Sequence, residues 1–262
     1  MRGCRWWILV ACFSWISIPF ALGQEKSVRL VYEVASVRPS QTDAPDGEID
    51  PLPNGIGYNV EAIPVTIMLS VMYRVPLRQI VGGPSWLSSE RFDVQVRADH
   101  SYSIDDLHIM FQNLLADRFH LKLHKEIREG PVYTLSIAKS GLKMNPVAAG
   151  KNRTVPISDA PNYEFIGSRV PMNYLCYWLG LKLQYDQRPV VDKTGLTGTY
   201  DFKLSFRPQL PPDASQENQS PELENLPSIF EAVKDQLGLE LTRQKGPVEA
   251  LVIDHVERPT EN

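Results

Sequence analysis

An α+β fold of two homologous β-α-β-α-β-β halves, with mixed and antiparallel sheets and helices packed on one face, is predicted by three observations. Residues 64–98 and 171–206 run in parallel: each opens on a proline (Pro64, Pro171), enters a dense apolar segment, and crosses a Gly-containing loop. Each then ends on an aromatic-Asp-apolar triplet, Phe92-Asp93-Val94 or Tyr200-Asp201-Phe202. Next, GPVYTLSI (130–137) and GPVEALVI (246–253) follow in the same order. Finally, hydrophobic spacing alternates between helical and strand periods within each half. A repeat of this length constrains architecture before chemistry is considered.

The elements follow in order. Residues 28–39 form a Val-rich strand, and 39–57 a loop by their Pro, Gly and Asp content. Tyr58 to Ala62 is a short strand, after which Pro64 opens a helix running to Val75. Arg91 to Arg97 alternates as a strand, with Phe92, Val94 and Val96 on one face. Ser103 caps the next helix, Asp105 and Asp106 sit in its electropositive first turn, and Ile104, Leu107, Met110, Phe111 and Leu114 form its buried stripe. Phe119, Leu121 and Leu123 then adopt a period of two. A turn at Glu129-Gly130 is expected to reverse the chain into Val132–Ala138 as a hairpin.

The second half reads the same way. Tyr163 to Gly167 is a strand, Pro171 starts a helix buried through Met172, Leu175, Trp178 and Leu179, and Thr199 to Phe206 is a strand. Ser228 and Glu231 form a capping box, Ile229, Val233 and Leu237 the stripe, and Gly238 the stop. A last hairpin is expected around Gly246-Pro247. The halves are 24–145 and 163–262, joined by a linker over 146–162. Residues 207–227 are polar and Pro-rich without apolar period, which predicts a mobile surface insertion.

The chain has 262 residues, 43% of them hydrophobic and 22% charged, and a net charge of -4. It can build a sizeable core, and its mild acidity excludes a general nucleic-acid binder. The first 23 residues read as a secretory signal peptide: Arg2 and Arg5 are basic, Trp6 to Leu22 carries no charge, and Ala21-Leu22-Gly23 is a small-x-small cleavage site. Two alternatives stay open. One is an uncleaved anchor, which would be the chain's only contact with a membrane; the other is a lipid-modified start at Cys12. Cys4 and Cys12 leave with the leader, so Cys176 alone remains and no internal disulfide forms.

Local motifs resolve into structural roles. Lys193-Thr194-Gly195 and Ser136-Ile137-Ala138-Lys139 imitate elements of serine beta-lactamases, but Ser136 falls in a strand, where Ser and Lys three apart face opposite sides. His120 and His124 share a strand face, with His108 or His100 as further candidates, yet no complete zinc set follows. Asp93 and Asp201 occupy corresponding places in separate halves, and such residues need not converge into an acid–base pair. Asn152-Arg153-Thr154 has the form of a glycosylation sequon. Candidate binding residues lie on the loops: Gly82, Gly83 and Trp86 in the first half, Asp192 and Thr194 in the second. Trp86 suits either a contact residue or a plug over the helix pair.

EVASVRPS, GGPSWLSSERFDVQ, LLADRFHLKLHKEIRE with PVYTLSIAKSG, VVDKTGLTGTYDFKL and QKGPVEALVIDHVERPTEN occur in this order. Together they resemble a soil-associated family of exported proteins of unknown function, expanded in Acidobacteria, along nearly all of the chain after the leader. The resemblance implies an exported bacterial protein and transfers no catalytic residue. Some relatives joined to membrane peptidases of the beta-lactam-sensor type hint at envelope sensing. The repeat unit also resembles the small modules at the N-termini of secretins and TonB-dependent receptors, through Val191, Asp192, Gly195, Leu196, Gly198 and Tyr200. Those modules bind partner proteins.

The reading that follows is a periplasmic or secreted, non-catalytic binding module for an envelope protein or cell-wall ligand, without cofactor or metal. An envelope-acting hydrolase and a membrane-tethered sensor are the rival readings. The leader predicts that the exported chain begins at Gln24. N-terminal sequencing checks this; an intact Met1 or a lipid-modified Cys12 contradicts it.

Overall fold

The computed structural model describes residues 29–41, 47–148, 150, 152, 155–183, 185–186, 188–209, 223 and 225–259. The leader, most of the 207–227 insertion, and Arg153 and Thr154 of the sequon lie outside these residues. Within them the chain is α+β, with twelve strands and five α-helices in mixed and antiparallel sheets.

The first part holds β1 (Val34–Pro39), β2 (Glu48–Pro51), β3 (Gly57–Pro64), α1 (Val65–Tyr73), β4 (Ile80–Gly82), the short α2 (Trp86–Ser89), β5 (Arg91–Arg97), α3 (Ile104–Arg118) and β6 (Lys122–Ile137). The second holds β7 (Asn145–Val147), β8 (Ile157–Ala160), β9 (Glu164–Pro171), α4 (Met172–Lys182), β10 (Val190–Asp192), β11 (Thr199–Ser205), α5 (Ile229–Leu237) and β12 (Leu239–His255). Two antiparallel sheets have the orders β1-β5-β3-β2 and β7-β11-β9-β8. A third, β10-β6-β12-β4, pairs β6 with β12 antiparallel and carries β10 and β4 parallel on its outer edges.

The expected order β-α-β-α-β-β is corrected. Leaving aside the single-turn α2, β3 to β6 and β9 to β12 each read β-α-β-β-α-β. The short β4 and β10 hide in segments that read as loops, because three residues carry no period. The linker over 146–162 supplies most of β7 and all of β8, and the 39–57 loop contains β2. Neither Gly-Pro hairpin exists. Gly130 lies inside the 16-residue β6, Gly246 inside the 17-residue β12, and the two glycines face each other in the ladder.

The ladder tolerates its prolines because of their parity. The Tyr133 N–H donates outward, to the Pro189 carbonyl at 2.9 Å. Two residues back, the Pro131 nitrogen faces that same outer side, where β12 requires no donor. Pro247, opposite Glu129, has the same setting on its own strand. The glycines make room: a Cβ on Gly130 would come 3.1 Å from Val248 Cγ2, and one on Gly246 would come 3.3 Å from Val132 Cγ2. Each Gly-Pro-Val triplet thus presents its valine to the other's glycine.

Local chemistry sets the remaining elements. The Ser103 hydroxyl accepts from the Asp106 N–H at 3.1 Å, and Ser228 and Glu231 complete the expected capping box on α5. Asp93 Oδ1 accepts from the Ala62 N–H at 3.0 Å, and Asp201 Oδ1 from the Arg169 N–H at 2.7 Å. Both bonds sit at bulges where Ala62 (φ 51°) and Arg169 (φ 49°) take the left-handed conformation that L-residues seldom adopt. The two carboxylates are thus bulge clamps, one in each outer sheet. The Arg207 N–H donates to the Pro227 carbonyl at 2.9 Å, so the flanks of the insertion are adjacent.

Two cores result, and the long strands cross between them. The first contains Phe92, Phe111, Phe119 and Met68, together with Ile253 from β12. The second contains Trp178, Phe206 and Leu179, together with Tyr133 and Leu135 from β6. Tyr133 is fully buried there. Its hydroxyl donates to Asp186 at 2.6 Å and accepts from Arg243 Nε at 3.0 Å. Neither half can therefore complete its own interior. Residues 24–145 and 146–262 expressed separately are expected to show no cooperative melt by circular dichroism, and to regain one when mixed. A cooperative melt from either alone would contradict the crossing.

Candidate functional site

Helices α1 and α4 each follow a strand ending in proline, and each turns an i, i+3, i+4 stripe toward a common space: Ile67, Ser70 and Val71 on α1, Tyr177, Gly180 and Leu181 on α4. The segments after each helix close it, with Leu77 and Arg78 on one side and Tyr185 and Arg188 on the other. The groove has a volume of about 510 Å³, within the roughly 300–1,000 Å³ of small-molecule sites. Its rim leaves Leu77, Leu181 and Tyr185 exposed at 48%, 41% and 40%. Gly180 widens it, since a Cβ there would meet nothing within 4 Å.

Among the described residues that line the groove, Arg78 and Arg188 are the only charged ones. Burial and the neighbouring Arg188 lower the pKa of Arg78. Among the described residues, no carboxylate pairs with either arginine. Arg188 lies 5.9 Å over the Tyr133 ring. Asp186, close by in the chain, is engaged by the Tyr133 hydroxyl and by Arg243, 3.7 Å away. Burial raises the pKa of the Tyr177 phenol, whose oxygen has no hydrogen-bond partner among the described residues.

A smaller cavity of about 220 Å³ lies beyond the end of α1, lined by Arg74, Ser103, Asp105, Asn152, Arg169 and Tyr174 among others. Arg74 pairs with Asp105, and its guanidinium stands 5.2 Å over the Tyr174 ring. Next to it, Arg74 Nε and His108 Nδ1 are buried without hydrogen-bond partners. His108 is 8% exposed. Burial, reinforced by the Arg74 charge and opposed by Asp105, lowers its pKa to about 4.

The loop candidates do not converge. Gly82 is on β4 and Asp192 on β10, the two outer edges of the central sheet. Gly82 (φ 85°) and Gly83 (φ 78°) supply left-handed backbone, and a Cβ on Gly83 would collide with Leu87 Cδ1 at 2.5 Å. Trp86 is 8% exposed, stacked on Phe119 at 6.4 Å and edge-on to Phe92 at 6.3 Å. The Arg258 guanidinium lies 5.2 Å over its ring and also pairs with Glu90. Of its two expected roles, this is the position of the plug. Asp192 Oδ1 accepts from the Thr194 N–H at 2.8 Å and from its hydroxyl at 2.7 Å, and the Thr194 oxygen accepts from the Leu196 N–H at 3.1 Å. Asp192 and Thr194 thereby brace the turn into β11.

The other motifs are likewise occupied. Ser136 pairs with Glu240 inside the ladder. His124 sits between Asp254, 2.9 Å from Nδ1, and Glu126, 3.3 Å from Nε2. The Asp254 bond, then the Glu126 bond, raises its pKa. Among the described residues no cluster of three His, Cys, Asp or Glu side chains could hold a metal ion. Cys176 is buried, and burial pushes its pKa up to about 12, far from the reactive range. The groove residues Tyr177, Gly180, Arg78 and Arg188 escaped sequence reasoning. Their one signal is that each wall helix is followed closely by an arginine.

Fold and groove define an α+β protein with a ligand-sized cleft between two helices. The chain belongs to a family of proteins of unknown function, DUF3738, which matches residues 66–256. No curated protein and no solved structure matches it.

His108, buried near Arg74, gives the fold a pH signature. Its pKa is 6.5 as a free side chain and about 4 in the fold, so between these values the unfolded chain binds more protons. Stability is therefore complete above pH 6.5 and falls as the pH drops toward 4. The loss should reach about 3 kcal/mol. In denaturant melts the stability of the wild type relative to His108→Gln should fall by that amount as the pH is lowered. Parallel pH profiles would contradict it.

Proposed function

We propose that this chain is an exported, non-catalytic binding module, and that it holds an envelope ligand in the groove between α1 and α4. The observation that carries the proposal is the groove itself: a ligand-sized space walled by matching apolar stripes, with polar groups confined to a few positions. The residues that imitate enzyme motifs support it, because each has a structural employment. Asp93 and Asp201 clamp bulges, Ser136 lies in the ladder, and Thr194 braces a turn. Descent of the two halves from one unit is supported by the matching bulges and by the pairing of Gly130 with Gly246. Export rests on the leader. Among the described residues no helix is long and apolar enough to cross a membrane.

A neutral fluorescent probe, N-phenyl-1-naphthylamine, tests the site. The wild-type protein should bind it with enhanced, blue-shifted emission. Gly180→Phe should weaken binding by about tenfold or more, roughly 1.4 kcal/mol, because the new ring fills the groove from a position with room for it. An unchanged thermal melt for Gly180→Phe establishes that the fold is intact. A probe that ignores the wild type, or binds both proteins equally, would sink the proposal.

A further inference from the structure

We infer that the groove takes a small amphipathic oxyanion, its acid head held between Arg78 and Arg188 and its apolar body lying along Val71, Leu77, Tyr177 and Leu181. The inference rests on the reading of the groove as the binding site and specifies the chemistry of its ligand.

The charge arrangement supplies the argument. Arg78 follows α1, Arg188 follows α4, and both line the one groove. Arg78 is exposed and Arg188 half-buried, and the two like charges are near enough that, after burial, Arg188 also lowers the pKa of Arg78. Proteins ordinarily relieve this with an intervening carboxylate, and among the described residues neither arginine has one. Asp186 could reach this region but is bound to Tyr133 and Arg243. The Arg188 guanidinium lies 5.9 Å over the Tyr133 ring, a contact that uses none of its N–H donors. Two guanidinium forks offer parallel N–H donors that match the oxygens of a carboxylate or phosphate. Such a pair at one spot in an otherwise apolar groove selects against neutral and cationic amphiphiles.

The remaining wall fits the other end of such a molecule. Val71, Leu77, Leu181 and the ring of Tyr177 give continuous apolar surface, and Gly180 lets an extended body approach the α4 backbone. The Tyr177 hydroxyl, without a partner among the described residues, offers one further donor. The volume of about 510 Å³ suits one small molecule rather than a folded partner's surface.

Displacement of bound N-phenyl-1-naphthylamine by decanoate, decyl phosphate, 1-decanol and decyltrimethylammonium, each kept monomeric, tests the inference. At least one anion should bind about tenfold more tightly than 1-decanol, as expected for a charge-assisted contact. The cation should bind more weakly than 1-decanol. Which anion binds tighter distinguishes a carboxylate from a phosphate head. In the doubly substituted Arg78→Gln, Arg188→Gln protein the advantage of the anion over the alcohol should vanish, and in the wild type it should shrink with added salt. Equal binding of anions and alcohol, or an advantage that survives the double substitution, overturns the inference and leaves the groove reading intact. So does failure of both anions to displace a bound neutral probe. Absence of probe binding defeats the groove reading itself.

Discussion

The pairing of β6 with β12 is the constraint on which the rest of this structure depends. It joins the ends of the two halves along nearly the whole of both strands, with Gly130 and Gly246 at its centre. Because it runs past that centre in both directions, each strand finishes in the core of the other half: Tyr133 and Leu135 in the second, Ile253 in the first. The short parallel strands β4 and β10 can only add at its outer edges. A single ladder therefore sets the position of every helix that connects to it.

The groove is a product of that arrangement. Helix α1 leads toward β4 and α4 toward β10, and the shared ladder brings the two helices to face each other across one space. Neither half contains the groove alone. Its apolar stripes come one from each, as do its two arginines. A cleft walled from two separate cores is a natural place for a ligand, since its walls need not be sacrificed from either interior.

Much of the fold could be read from residues. The caps at Ser103 and Ser228 and the buried stripes of α3 and α5 were legible because capping and amphipathic period are local. The matched aromatic-Asp triplets were legible as a pattern, but their purpose was not. A carboxylate that satisfies one N–H of a bulge looks in sequence like any exposed aspartate. The Gly-Pro segments misled because these residues usually mark turns, whereas here the prolines face outward and the glycines receive valines from the opposite strand. Those are facts of pairing between residues more than a hundred positions apart. The groove was invisible for a related reason: Ile67 and Tyr177 look like ordinary helix residues until the two helices are placed side by side.

The crossing of the long strands also governs how the chain can acquire its structure. Residues 239–255 supply a partner for residues 122–137 and a wall for the first core from more than a hundred positions further along the chain. Local elements such as α3 can form alone, but neither interior closes until β12 has found its distant mate. Contacts spanning so much intervening chain slow the search and leave apolar surface uncovered while it proceeds. A chain that stalls or is cut before residue 239 is left with two open cores rather than one finished half.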